Sequence, residues 1–257
     1  VGPRELAAWN ADFEILLQRA RVNLLLRGGE ERFRRMRPGV FRSTWQDNLD
    51  GSRILLPGML KGLALQGDPV VVVPNRDTLL VAGSEDLDGL AWILEAALEF
   101  LREDAHALNG CPLRLRGFQW EPWEARAGDP AEPLLARIRR RRLLEEYTRQ
   151  KTLLDRLHDR TGRAVAVAPL HLEKLQAGGV TSCTLWPQGA GEGWLPEAER
   201  VGLAVPGPGS PSCLWVPWPE ARRELGHLLE PMGLFPERYR VLGFPARDLL
   251  EHLERSA

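Results

Sequence analysis

The triplet Asn75-Arg76-Asp77 comes nearer to a reactive set than any other stretch of this 257-residue chain. An amide, a guanidinium and a carboxylate at one tip could hold a ligand, and Asp77 could act as a base if its pKa were raised. The same three residue types also shape tight turns: Asn and Asp bond to their own backbone, and Arg76 can pair with a carboxylate. Both readings stand at the level of sequence.

Other chemistry-bearing residues fit known machinery poorly. Glu85, Asp86 and Asp88, taken with Asp47 and Asp50, lack the spacing of a calcium loop, and the first three suit the opening turn of a helix. The three cysteines, Cys111, Cys183 and Cys213, are far apart. The five histidines, His106, His158, His171, His227 and His252, are isolated, so neither set has the spacing of a zinc site. Ser84 and Ser182 lie in no nucleophile elbow, and no phosphate loop ends in Gly-Lys-Ser/Thr. The expectation is no metal, no cofactor and no catalytic residue, with a hydrolase working at Asn75–Asp77 as the alternative. Gly189-Ala190-Gly191-Glu192-Gly193 reads as a flexible loop.

Arg137 and Arg139 to Arg142 could contact phosphates. Glu145, Glu146 and Asp155 follow on the same helix, however, and 34 basic against 35 acidic residues leave a net charge of -1, which disfavours nucleic acid. A helix face of intrahelical ion pairs is the better reading. Nearly all the positive charge is arginine, since the lysines are Lys61, Lys151 and Lys174 alone. No apolar run is long enough for a membrane span, and no signal peptide is recognisable, so a soluble cytoplasmic protein is expected. The start at Val1, without methionine, points to further sequence upstream.

Nine tryptophans stand against two tyrosines and seven phenylalanines. Trp120, Trp123, Trp215 and Trp218 are candidate anchors for another protein, because Trp supplies large contact area at interface hot spots. The competing reading places alternate members of each pair in the core.

The elements that would position these residues follow from periodicity. Leu6, Trp9, Phe13, Leu16, Leu17, Ala20 and Leu24 give one helical stripe over Arg4 to Leu26, and the basic stretch Arg32 to Arg37 reads as a connector. A helical turn over Ser52 to Leu60 precedes a hairpin of Val70–Val73 and Thr78–Ala82. A helix from Asp86 to Leu101 follows, with Ser84 as its cap and Leu87 on its core face, then a strand near Pro112 to Trp120. The second half echoes this order through Trp186, Val201–Pro206, Cys213–Val216, a helix from Pro219 and Tyr239–Phe244, with a Pro/Gly-rich hairpin over Val205 to Pro211. The predicted fold is α+β: two similar strand-strand-helix-strand units, each preceded by a long helix. The expected division is 1–124, a linker at 125–133 rich in Ala, Gly, Asp and Pro, and 134–257.

Three passages carry a family resemblance. They are Trp45-Gln-Asp-Asn-Leu-Asp-Gly-Ser-Arg-Ile-Leu55, Asp68-Pro-Val-Val-Val-Val-Pro-Asn-Arg-Asp-Thr-Leu-Leu-Val-Ala-Gly83, and the entry helix with Trp9, Ala20 and Asn23-Leu24. Together they make roughly Ala7 to Trp120 similar to the bacterial YtpQ-like family, a domain of unknown function, so the resemblance implies no chemistry. The second half departs from it at Gly207-Pro208-Gly209. The expected function is a non-enzymatic protein-binding or accessory module, with an immunity or regulatory role as one form of it. Its partner is expected to be another protein, and the oligomeric state is left open.

Overall fold

The computed structural model describes residues 2–10, 12–28, 32–103, 107–175, 178–207 and 212–256. The fold is α+β, and its contacts divide the chain into two compact units, Val1–Ile138 and Arg139–Ala257. His106 and the hairpin tip Pro208–Pro211 lie outside the described residues.

The first unit opens with α1 (Pro3–Trp9) and α2 (Phe13–Gly28) where one continuous helix was expected. Asn10 ends α1 in the left-handed region at φ 46°, and the Asp12 carboxylate starts α2 by accepting a bond from the Glu14 amide at 2.8 Å. The expected basic connector is instead strand β1 (Phe33–Arg37), paired with β2 (Val40–Ser43). Its arginines sit on a solvated edge, which hid the strand from a hydrophobicity reading.

Strands β3 (Pro69–Asn75) and β4 (Thr78–Gly83) form the expected hairpin, preceded by short 3₁₀ turns at Gly51–Leu55 and Pro57–Leu60. Helix α3 (Leu87–Glu103), β5 (Asn109–Arg116) and β6 (Gln119–Pro122) complete one antiparallel sheet in the order β1-β2-β4-β3-β5-β6. Val70, Val72, Leu80 and Ala82 pack with Leu90, Ile93, Leu94 and Ala97 of α3. Val71, Leu79 and Val81 pack in a separate cluster with Phe41 and Leu60. Coverage of both faces explains why the valine run does not alternate with polar residues.

Helix α3 begins later than the Ser84 cap implies. Asp86 is the residue that caps it, accepting from the Gly89 amide at 2.8 Å, while the Ser84 hydroxyl accepts from the Asp68 amide at 3.0 Å. Leu87, counted on the core stripe, is exposed at the helix's first position. Gly83 is required by close approach, because a β-carbon there would collide with the Gln66 backbone.

The segment 125–133 is a pair of turns, with Asp129 N bonded to Arg126 O and Glu132 N to Asp129 O. Ala131 is fully buried with Trp123, Leu135 and Ile138 in the first unit's core. The division into units falls farther on, inside α4 (Glu132–Thr161). Turn-forming composition marks a change of chain direction, not a gap between cores.

The second unit continues with β7 (Ala166–Val167), β8 (His171–Lys174), β9 (Val180–Pro187), β10 (Gly193–Pro196), β11 (Arg200–Val205) and β12 (Ser212–Pro217). Helix α5 (Trp218–Leu225), β13 (Leu229–Pro231), β14 (Arg238–Val241) and α6 (Arg247–Ser256) follow. Its strands form two sheets, β13-β14-β10-β7 and β12-β11-β9-β8. The expected echo of hairpin, helix and strand is therefore loose: β13 comes between α5 and β14, and the pairing differs. In the first unit β5 returns to pair with β3, whereas β14 pairs with β10 and β13 in a sheet separate from β11 and β12. The helices also differ in length: the 17 residues of α3 span roughly 26 Å, and the 8 of α5 roughly 12 Å.

Candidate functional site

The tip predicted from sequence is a turn built on its own side chains. Asn75 is buried, and its Oδ1 accepts from the Asp77 amide at 3.1 Å. Arg76 Nε lies 3.6 Å from Asp77 Oδ2, and the Gly51 amide donates to the Arg76 carbonyl at 2.9 Å. Arg76 also borders a shallow cavity of about 310 Å³ with Ser52, Val73 and Cys111. Asp77 Oδ1 is buried without a hydrogen-bond partner among the described residues.

The acidic residues are dispersed. Asp86 caps α3, Asp47 grips the fully buried Arg53 through two bonds of 2.8 and 2.7 Å, and Asp50 accepts from the Trp45 amide at 3.1 Å. Trp45 lies under the Arg53 guanidinium at 4.3 Å. No group of three metal-ligating side chains occurs among the described residues. Burial pushes the Cys183 and Cys213 thiols up, which leaves less of the nucleophilic thiolate.

Arg140, Arg141 and Arg142 of the arginine run on α4 are ion-paired. Arg141 meets Glu145 at 3.0 Å and Arg142 meets Glu146 at 2.9 Å, both one turn along the helix. Arg140 clasps Glu199, with its closest bond at 2.7 Å, and Ser182 donates to the same carboxylate through its amide at 2.6 Å. Burial pushes the Glu199 carboxyl up, but Arg140 and Ser182 outweigh it and hold the group at about 2.

The tryptophan pairs split by exposure. Trp123 and Trp218 are buried in their units' cores. Trp120 is half-buried and donates Nε1 to the Ile54 carbonyl at 3.0 Å. Trp215 is half-buried, with Arg200 at 5.7 Å over its ring.

Two features lay outside the sequence-based candidates. The first is the surface of α1 and α2, where Trp9, Phe13, Ile15, Val22 and Leu25 are each about half exposed and Leu26 is 79% exposed. Leu24 is the one residue of α2 that is buried. Arg19, Arg21 and Arg27 lie exposed on α2, and Arg34, Arg35 and Arg37 on β1. The second is a cavity of about 600 Å³ in the second unit. Lys151, Asp155, His158 and Asp159 of α4 line it, and Val167, Trp186 and Leu195 supply apolar wall. His158 is 4% exposed, its ring stands edge-on to Trp194 at 4.6 Å, and neither ring nitrogen has a hydrogen-bond partner among the described residues. The spacing i, i+4, i+7, i+8 on α4 was visible in the sequence, but only the fold shows that this face borders a cavity.

Comparison with protein-family models, curated proteins and solved structures finds no match for this chain.

Proposed function

We propose that the chain is a non-enzymatic protein-binding module of a bacterial system, regulatory or immunity-like in role, and that it docks an acidic protein segment through α1, α2 and β1. The observation that carries this reading is the exposure of Trp9, Phe13, Ile15, Leu25 and Leu26 on helices whose remaining surface is arginine-rich. Large exposed apolar side chains in this number mark an interaction surface, although on α2 they are spread round the helix and not gathered on one face. The accompanying arginines favour a partner of opposite charge. Commitment of the Asn75 amide oxygen to its own turn supports binding over hydrolysis at that tip. In this reading the first unit is the YtpQ-like part.

The test is affinity capture followed by calorimetry with the purified candidate. Wild type is compared with Trp9→Ala/Phe13→Ala/Leu26→Asp and with Arg19→Glu/Arg21→Glu. Loss of roughly tenfold or more in affinity for each variant, at unchanged melting temperature, is expected. Binding that survives both changes overturns the proposal. So does preferential binding of anionic lipid vesicles, or a wild-type dimer by light scattering that both variants abolish.

A further inference from the structure

We infer that the cavity of the second unit binds a small hydrophobic amine in its protonated form. At about 600 Å³ it falls within the range of roughly 300–1,000 Å³ typical of small-molecule sites. Its apolar wall would take the body of such a molecule. One strand-side surface carries Val167, Trp186 and Leu195, while the charges gather on α4. A polar group at one end and an apolar wall at the other fix the orientation of an amphipathic ligand.

The sign of the polar group follows from which charges are already satisfied. Lys151 Nζ is 2.8 Å from Asp155, and Arg163, also at the cavity, is 3.4 Å from Glu192, whose same oxygen Arg240 approaches at 3.3 Å. Asp159 is an exposed residue on the cavity's lining, and its carboxylate has no hydrogen-bond or ion-pair partner among the described residues. It also stands in the last turn of α4, where the helix carbonyls add partial negative charge. An ammonium is therefore attracted and a carboxylate repelled. His158 stands in the same wall, but both ring nitrogens are buried, so its ring gives the cavity shape and not a hydrogen bond.

The experiment uses three indole compounds that share a body and differ in head group: tryptamine, tryptophol and indole-3-acetate. Each is titrated into the whole protein by calorimetry at low salt. Tryptamine is expected to bind one to one, and the neutral and anionic analogues roughly tenfold more weakly or worse. Asp159→Asn should erase that preference. Ala164→Trp, which places a ring in the cavity from an exposed position, should abolish tryptamine binding at unchanged melting temperature. The inference is overturned by equal affinity for all three compounds, by no saturable tryptamine binding in the millimolar range, or by tryptamine binding that Ala164→Trp leaves intact.

Discussion

Arg238 and Tyr147 are joined twice: the guanidinium lies 5.1 Å over the phenol ring, and Nη2 donates to the Tyr147 carbonyl at 3.4 Å. The remaining donors of Arg238 reach the Ala168 carbonyl at 2.8 Å and the Gln150 side chain at 2.5 Å. Tyr147 in turn donates to the Glu237 carbonyl at 2.7 Å and accepts from the Glu197 amide at 3.0 Å. One buried cation thus fastens α4 to β14 and to the chain beside β7. Burial pulls Arg238 down to about 10 and pushes Tyr147 up to about 12.

Replacing Arg238 with Met should cost about 2–4 kcal/mol, because buried carbonyls lose their donor. Arg238→Lys should recover little, since an ammonium cannot reproduce the planar fork. Urea unfolding followed by circular dichroism checks both. A loss under about 1 kcal/mol for the Met variant would remove Arg238 as the fastener.

The Glu199 clasp predicts an acid-side dependence. Its carboxyl sits at about 2 in the fold against an ordinary 4.5, so the unfolded chain takes up the proton first as pH falls. The contribution is fully present above 4.5 and is lost as pH drops from there through about 2. Stability of Glu199→Gln should be lower at neutral pH and flatter across that window. Equal slopes for the two proteins in acid titrations of stability would contradict the assignment.

Trp218 and Trp215 should separate cleanly. Trp218→Ala opens the core of the second unit and should cost about 3–5 kcal/mol. Trp215→Ala removes a half-buried ring and should cost clearly less. Thermal unfolding of the two variants under one condition makes the comparison.

Substitutions on α2 should be nearly silent in stability. Leu26 is 79% exposed, so Leu26→Asp should shift unfolding by no more than about 0.5 kcal/mol. It should also lower the binding of a hydrophobic dye to the folded protein. A large loss of stability would mean that the side chain is packed in solution.

Much of the fold was legible because burial leaves strong signatures. The valine run of β3 announces itself by composition and the stripe of α3 by its period. Strand β1 did not, because four exposed positions on an edge carry arginine and methionine in place of an apolar face. Pairing was illegible for a related reason: alternation identifies a strand but not its neighbour, so the echo in the second half concealed two sheets. Among the site residues, Asn75–Asp77 lies at a hairpin tip as expected, whereas Trp123 and Trp218, offered as anchors for a partner, are core residues. His158 was passed over because an isolated histidine looks inert until the fold sets Trp194 of β10 against its ring.

The positive charge on α2 and β1 is entirely arginine, and this fixes how that surface can be controlled. Acetylation acts on lysine, and the three lysines of the chain lie elsewhere, at Lys61, Lys151 and Lys174. Guanidinium groups also keep their charge throughout the physiological pH range. A cell therefore has no acetylation switch and no proton switch on this surface. Amine-directed reagents would be equally blind to its guanidinium groups, so labelling this surface calls for arginine-directed or photoreactive chemistry.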